Sequence, residues 1–99
     1  MEEIVMELII NAGCARSKAM ESIMEIKEGN SEAARKNMQE ADDLLLKAHN
    51  IQTKLIQNEV NGEKTELNLL MVHAQDQIMN ALTMKLLATE IVEMYEKFS

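Results

Sequence analysis

Proline is absent from this 99-residue chain and glycine occurs only three times, so little in it interrupts a helix, and an all-α protein is predicted. Tryptophan is also absent and aromatics make up 2% of the residues. The interior must therefore be assembled from Leu, Ile, Val, Ala and nine Met, the last a flexible filler that specifies geometry loosely. The single Cys14 permits no internal disulfide, in keeping with a reducing compartment. Positive charge is scarce, ten basic against 17 acidic residues for a net charge of -7, and a nucleic-acid backbone is excluded as partner. No run approaches the roughly 20 apolar residues that span a bilayer. The opening Met1-Glu2-Glu3 also lacks the positive start of a secretory signal. These absences predict a soluble, cytoplasmic, single domain over residues 1–99. A core of that size buries a modest share of its surface, so association with further copies would add stability.

What is present is helical periodicity in three blocks. From Glu2 to Lys27, Val5, Leu8, Ile9, Ala12, Ala15, Ala19, Ile23 and Ile26 follow the 3.6-residue period. A second stripe, Met6, Ile10, Gly13, Met20 and Met24, implies more than one neighbour for this helix. Gly13 in mid-helix costs about 1 kcal/mol against alanine, which predicts close backbone approach of another helix there. Gly29 stops the helix and Asn30 or Ser31 caps the next. Helix two is expected from Glu32 to Asn58, with Ala34, Met38, Ala41, Leu45, Ala48, Gln52 and Leu55 on one stripe and Leu44 and Ile51 beside it. The short connection makes helices one and two antiparallel neighbours. A polar loop is expected from Glu59 to Glu66, around Asn61-Gly62.

Helix three is expected from Leu67 to Lys97. Leu67, Leu70, Ala74, Ile78, Ala81 and Ala88 suit packing on the first two helices. A separate heptad seam has Leu69, Asp76, Thr83 and Glu90 at a positions and Val72, Met79, Leu86 and Glu93 at d positions. Two seams exceed what a lone three-helix hairpin uses, so the second is a candidate oligomer axis. Parallel copies would bring their Asp76 carboxylates together, an arrangement relieved by protonation, by water or by a hard cation such as magnesium.

His73 lies three residues before Asp76, on the flank of this seam. A neutral imidazole is a competent nucleophile near neutral pH, and one histidine can both accept and return a phosphoryl group. Phosphoryl transfer needs chiefly positioning and charge stabilisation, so a carrier can be small. Spacing alone leaves two other readings open. One is a non-enzymatic helical interaction module with an incidental histidine. The other is a metalloprotein using His73 and Asp76, although one such pair supplies too few ligands for a transition metal. His49 is expected half-buried on helix two and Cys14 packed within helix one. Gln75 and Asn80 fall near His73 in helical spacing and are candidates to border its site.

The run Val72-His73-Ala74-Gln75-Asp76-Gln77-Ile78-Met79 resembles the signature of the lactose/cellobiose-type enzyme IIA components of the bacterial sugar phosphotransferase system. Leu8-Ile9-Ile10-Asn11-Ala12-Gly13-Cys14-Ala15-Arg16-Ser17 and Ala48-His49-Asn50-Ile51-Gln52-Thr53-Lys54-Leu55-Ile56 resemble that family's first and second helices, so the likeness covers nearly the whole chain. It implies an antiparallel three-helix subunit assembling as a homotrimer, a nine-helix bundle. It implies that His73 takes a phosphoryl group from the histidine-containing phosphocarrier protein, at Nε2. His73 would pass that group to a cysteine of the IIB component, for uptake and phosphorylation of a β-linked disaccharide (cellobiose, lactose or chitobiose type) through the membrane IIC permease. It also implies that Asp76 from three subunits surrounds one structural Mg2+. One departure is visible: relatives commonly carry a histidine directly after the aspartate, where this chain has Gln77. The chain also starts nearly at the first helix, without the acidic extension of some relatives.

Overall fold

Two glycines set the course of the chain. Gly29 and Gly62 adopt φ +84° and +91°, a conformation that costs glycine nothing. Each ends a helix in the same way. Gly29 N–H donates to Ile26 O at 3.0 Å and Asn30 N–H to Glu25 O at 2.9 Å; Gly62 N–H donates to Glu59 O at 3.1 Å and Glu63 N–H to Asn58 O at 2.9 Å. These paired bonds satisfy carbonyls the helix ends would otherwise leave open. The computed structural model describes residues 2–64 and 67–98. Over them run three helices, α1 (Glu2–Lys27), α2 (Ser31–Val60) and α3 (Leu69–Phe98), and among the described residues there is no strand. The bundle is a rod of 53 × 20 × 16 Å.

The interior is thin because its repeating residue is alanine. Ala34, Ala41 and Ala48 on α2, and Ala74, Ala81 and Ala88 on α3, recur every seven residues and are fully buried, as are Ala12, Ala15 and Ala19 on α1. A seven-residue repeat keeps one face toward its partners along the helix, and alanine lets the helices approach closely. The larger core residues Val5, Leu8, Leu45, Leu55, Met71 and Ile78 fill one end of the rod, and Ile26 and Val92 meet at the other. Among the described residues Ser22 is the buried polar exception; its hydroxyl donates to Ala34 O at 2.8 Å, tying α1 to the first turn of α2. Polar clamps close the outside: Lys18 reaches Glu40 at 2.9 Å, Lys85 reaches Asp42 at 2.7 Å, and Arg35 and Ser31 both hold Glu96.

Several expectations change in detail. α3 begins at Leu69 rather than Leu67, because the Asn68 side chain caps it, accepting from Met71 N–H at 2.9 Å. Leu67 therefore lies outside the helix and is 82% exposed. α2 extends to Val60, two residues into the expected loop, of which Thr65 and Glu66 lie outside the described residues. Asn30 occupies the cap position of α2 with its backbone, but its side chain donates to Glu25 instead, at 2.8 Å. The close approach expected at Gly13 is not made among the described residues: none of them lies within 4 Å of where its Cβ would be. Met6, Ile10, Met20 and Met24 of the second α1 stripe are likewise exposed.

Candidate functional site

Asn68 fixes where α3 starts, and so fixes where His73 falls, in the second turn of the helix. Met71, Ala74 and Ile78 turn inward from the same stretch. His73 is consequently exposed, about 100° around the helix from Ala74. Asp76 is exposed as well. Among the described residues neither side chain has a hydrogen-bond or ion-pair partner. An unencumbered imidazole at the surface can be reached by another macromolecule, the arrangement a carrier needs.

Asp76 belongs to an uncovered strip. Leu69, Val72, Met79 and Leu86 are 85%, 44%, 57% and 54% exposed, Asp76 and Thr83 are exposed between them, and Glu90 and Glu93 are exposed beyond Leu86. α3 thus has an inward face (Met71, Ala74, Ile78, Ala81, Ala88, Val92) and an outward seam, as its two periodicities predicted. Met71 and Val92 extend the inward face beyond the expected set, and Leu70 is only half-buried. Among the described residues no group of three or more His, Cys, Asp or Glu side chains could hold a metal. At the level of Asp76 one chain supplies a single carboxylate, so a hard cation held there would need Asp76 from other copies.

The amides flanking His73 divide between two faces. Gln75 accepts from Gln52 Nε2 and donates to Met71 Sδ at 3.6 Å, so it turns toward α2 rather than bordering His73 within the chain. It lines a cleft of about 200 Å³ with Gln52, Leu55 and Met71. Asn80 is exposed and lines a different groove, about 540 Å³, between α1 and α3 with Arg16, Met20, Met84 and Ile91. Gln77 accepts a hydrogen bond from Arg16 Nη1 at 3.2 Å, a contact between α1 and α3 that sequence reasoning missed. Both residues stood in the quoted motifs; their pairing needed the register of the two helices.

Two further expectations are corrected. His49 is exposed, not half-buried, its Nε2 3.5 Å from Thr53 Oγ1 on the next turn of α2. Cys14 is exposed rather than packed. The buried stripe of α1 passes through Ala12 and Ala15, and at 100° per residue Cys14 points away from it.

Comparison with known proteins decides what this arrangement is. The model of the PTS system lactose/cellobiose-specific IIA subunit matches residues 3–96. The chain belongs to the lactose/cellobiose-specific IIA family of the sugar phosphotransferase system. It is 56% identical to the lichenan-specific phosphotransferase enzyme IIA component of Bacillus subtilis (strain 168), over 100% of this chain and 90% of that one. The crystal structure of the cellobiose-specific enzyme IIA from Bacillus anthracis superposes with a TM-score of 0.94 at 46% identity, covering 98% of this chain and 89% of that one. A solution structure of the Escherichia coli N,N'-diacetylchitobiose IIA in complex with HPr superposes with a TM-score of 0.85 at 40% identity, covering 98% and 94%. As a IIA component the protein is a phosphotransferase, which removes the non-enzymatic module as a reading. Among the described residues no helix is long and apolar enough to cross a membrane.

Proposed function

We propose that His73 is the phosphoryl carrier of this IIA component, accepting the group from HPr, the histidine-containing phosphocarrier protein, and donating it to a IIB cysteine. The observation that carries this reading is the exposure of His73 in the second turn of a capped helix. The imidazole is held in place by its backbone while its ring is open to an incoming protein. A relative solved with HPr supports the donor. The lichenan, cellobiose and chitobiose specificities of the relatives support a β-linked oligosaccharide, most simply a disaccharide, as the sugar served. The protein would then work in the cytoplasm and meet the membrane only through the IIC permease.

The α3 seam supports a homotrimer. Its apolar positions are uncovered, and burying them against two symmetry mates would remove a contiguous strip from water. The same packing would gather three Asp76 carboxylates at the axis. Oxygen donors suit a hard divalent cation, so the three Asp76 carboxylates together would hold one shared Mg2+, whose contribution is charge neutralisation at the axis. His73 lies off that axis, and its chemistry does not pass through the ion.

The test is incubation with phosphoenolpyruvate and the general phosphotransferase proteins. An acid-labile mass gain of one phosphoryl group on the wild type, lost in His73→Ala, is expected. A wild type that gains nothing would refute the carrier reading.

A further inference from the structure

The contact between Arg16 and Gln77 lies beside His73 and has no part in the functional reading so far. Arg16 Nη1 donates to Gln77 Oε1 at 3.2 Å, and Gln77 stands four residues after His73. Residues four apart on a helix are neighbours on one face, about 6 Å apart along the axis. A guanidinium carries donors only, so the amide atom it meets is the oxygen, and the NH2 end of Gln77 is turned away from Arg16. Among the described residues that NH2 group has no acceptor, although Gln77 is half-buried. A donor group with two hydrogens, oriented from α1 and one turn from an exposed imidazole, is suited to an anion formed on that imidazole.

We propose that Arg16 is a positioning residue for phosphoryl transfer: it fixes the Gln77 amide so that Nε2 donates to the phosphoryl group carried by His73. The inference rests on His73 being the carrier. In the transfer, a ring-nitrogen lone pair of His73 forms a new N–P bond while the N–P bond of the donor phosphohistidine breaks and its electron pair returns to the donor ring. Arg16 and Gln77 make and break no covalent bond. The amide N–H gains an anionic acceptor at the moment the group arrives, and hydrogen bonds to charged oxygen are the stronger kind. An amide has no ionisable proton, so the donation is constant where an imidazole in place of Gln77 would gain and lose its second proton.

A double-mutant cycle tests this on the full chain. The rate of phosphorylation by phosphorylated HPr is measured for wild type, Arg16→Met, Gln77→Ala and the double variant, with thermal melts of each. Roughly tenfold slowing is expected in each single variant, the size of a lost charge-assisted hydrogen bond. The double variant is expected to be no slower than Gln77→Ala, because Arg16 acts only through Gln77. The side-chain amide resonance of Gln77 is expected to move on phosphorylation in wild type and to stay in Arg16→Met. If Arg16→Met fails to fold, Gln77→Glu serves instead, since it keeps the contact as an ion pair but removes the NH2 donors, and it must be slowed as much as Gln77→Ala. Wild-type rates in Arg16→Met, or equal slowing of the wild-type and Gln77→Ala backgrounds by that substitution, overturn the proposal while leaving the carrier reading intact. A wild type that accepts no phosphoryl group overturns both.

Discussion

Replacing Asp76 by leucine separates the two forces that could hold the α3 seam together. In the single chain Asp76 is exposed between Val72 and Met79, one turn to either side and 44% and 57% exposed themselves. If three seams meet, each Asp76 leaves water for an apolar axis, which costs free energy unless a cation compensates it. Leucine at this position removes the like-charge repulsion and adds apolar burial. Full burial of a leucine side chain contributes about 1.5–3 kcal/mol, so three copies contribute about 5–9 kcal/mol per trimer. At about 4–8 °C per kcal/mol for a chain of this size, the 1.5–3 kcal/mol per subunit corresponds to a rise in melting temperature on the order of 10 °C. The assay is sedimentation together with thermal melting, with Mg2+ and with a chelator. Wild type is expected to be a trimer whose melting temperature falls on chelation; Asp76→Leu is expected to be a trimer that melts higher and ignores the chelator. A monomeric Asp76→Leu protein would show that the cation bridge, not the apolar seam, holds the axis, and would refute the reasoning.

Four further substitutions probe the packing. Leu8→Ala, at a fully buried position, is expected to cost about 2–5 kcal/mol in denaturant unfolding, against about 1 kcal/mol for Ser22→Ala, which removes one buried hydrogen bond to a carbonyl that keeps its helical partner; equal costs would contradict this ranking. Gly13→Leu adds a side chain where the single chain has open space, so helix content is expected to be unchanged while the trimer weakens in sedimentation; an undiminished trimer would mean that no neighbouring copy approaches there. The Arg35 guanidinium, and then the Ser31 hydroxyl, hold the Glu96 carboxyl below the usual carboxylate range. A folded value below the unfolded one stabilises above the unfolded value and ceases to do so as pH falls through the folded value. Glu96→Gln is therefore expected to lower the melting temperature at pH 7 and to leave it unchanged in strong acid; a constant difference at both would argue against the ion pair.

The helices and their inward faces were legible because they rest on local chemistry. α1 was bounded correctly at both ends, since Gly29 supplies the one backbone conformation that stops it. The double periodicity of α3 also survived, because an inward alanine row and an outward seam are separable at 100° per residue. What escaped was contingent on what lies opposite. The exposure of Cys14 and His49 depends on where α2 and α3 sit around α1, and the surroundings of Gly13 depend on which helix reaches it. Gln75 and Gln77 look equivalent in sequence, yet one turns to Gln52 and the other to Arg16, because two residues of helix rotate them onto flanks facing different partners. Asn68 was passed over as a cap, and α3 was begun two residues early for that reason. His73 itself was found through its surrounding motif, since an exposed helical histidine carries no mark of its own.

On the proposed division of roles His73 alone carries the phosphoryl group, with Asp76 confined to assembly. The most direct measurement is peptide mapping of the protein after phosphorylation by phosphorylated HPr, carried out under alkaline conditions that preserve phosphohistidine, for wild type and Asp76→Leu. Phosphate on His73 in both proteins, at comparable occupancy, is the predicted result. Phosphate on His49, or none in Asp76→Leu while it remains trimeric, would contradict the account.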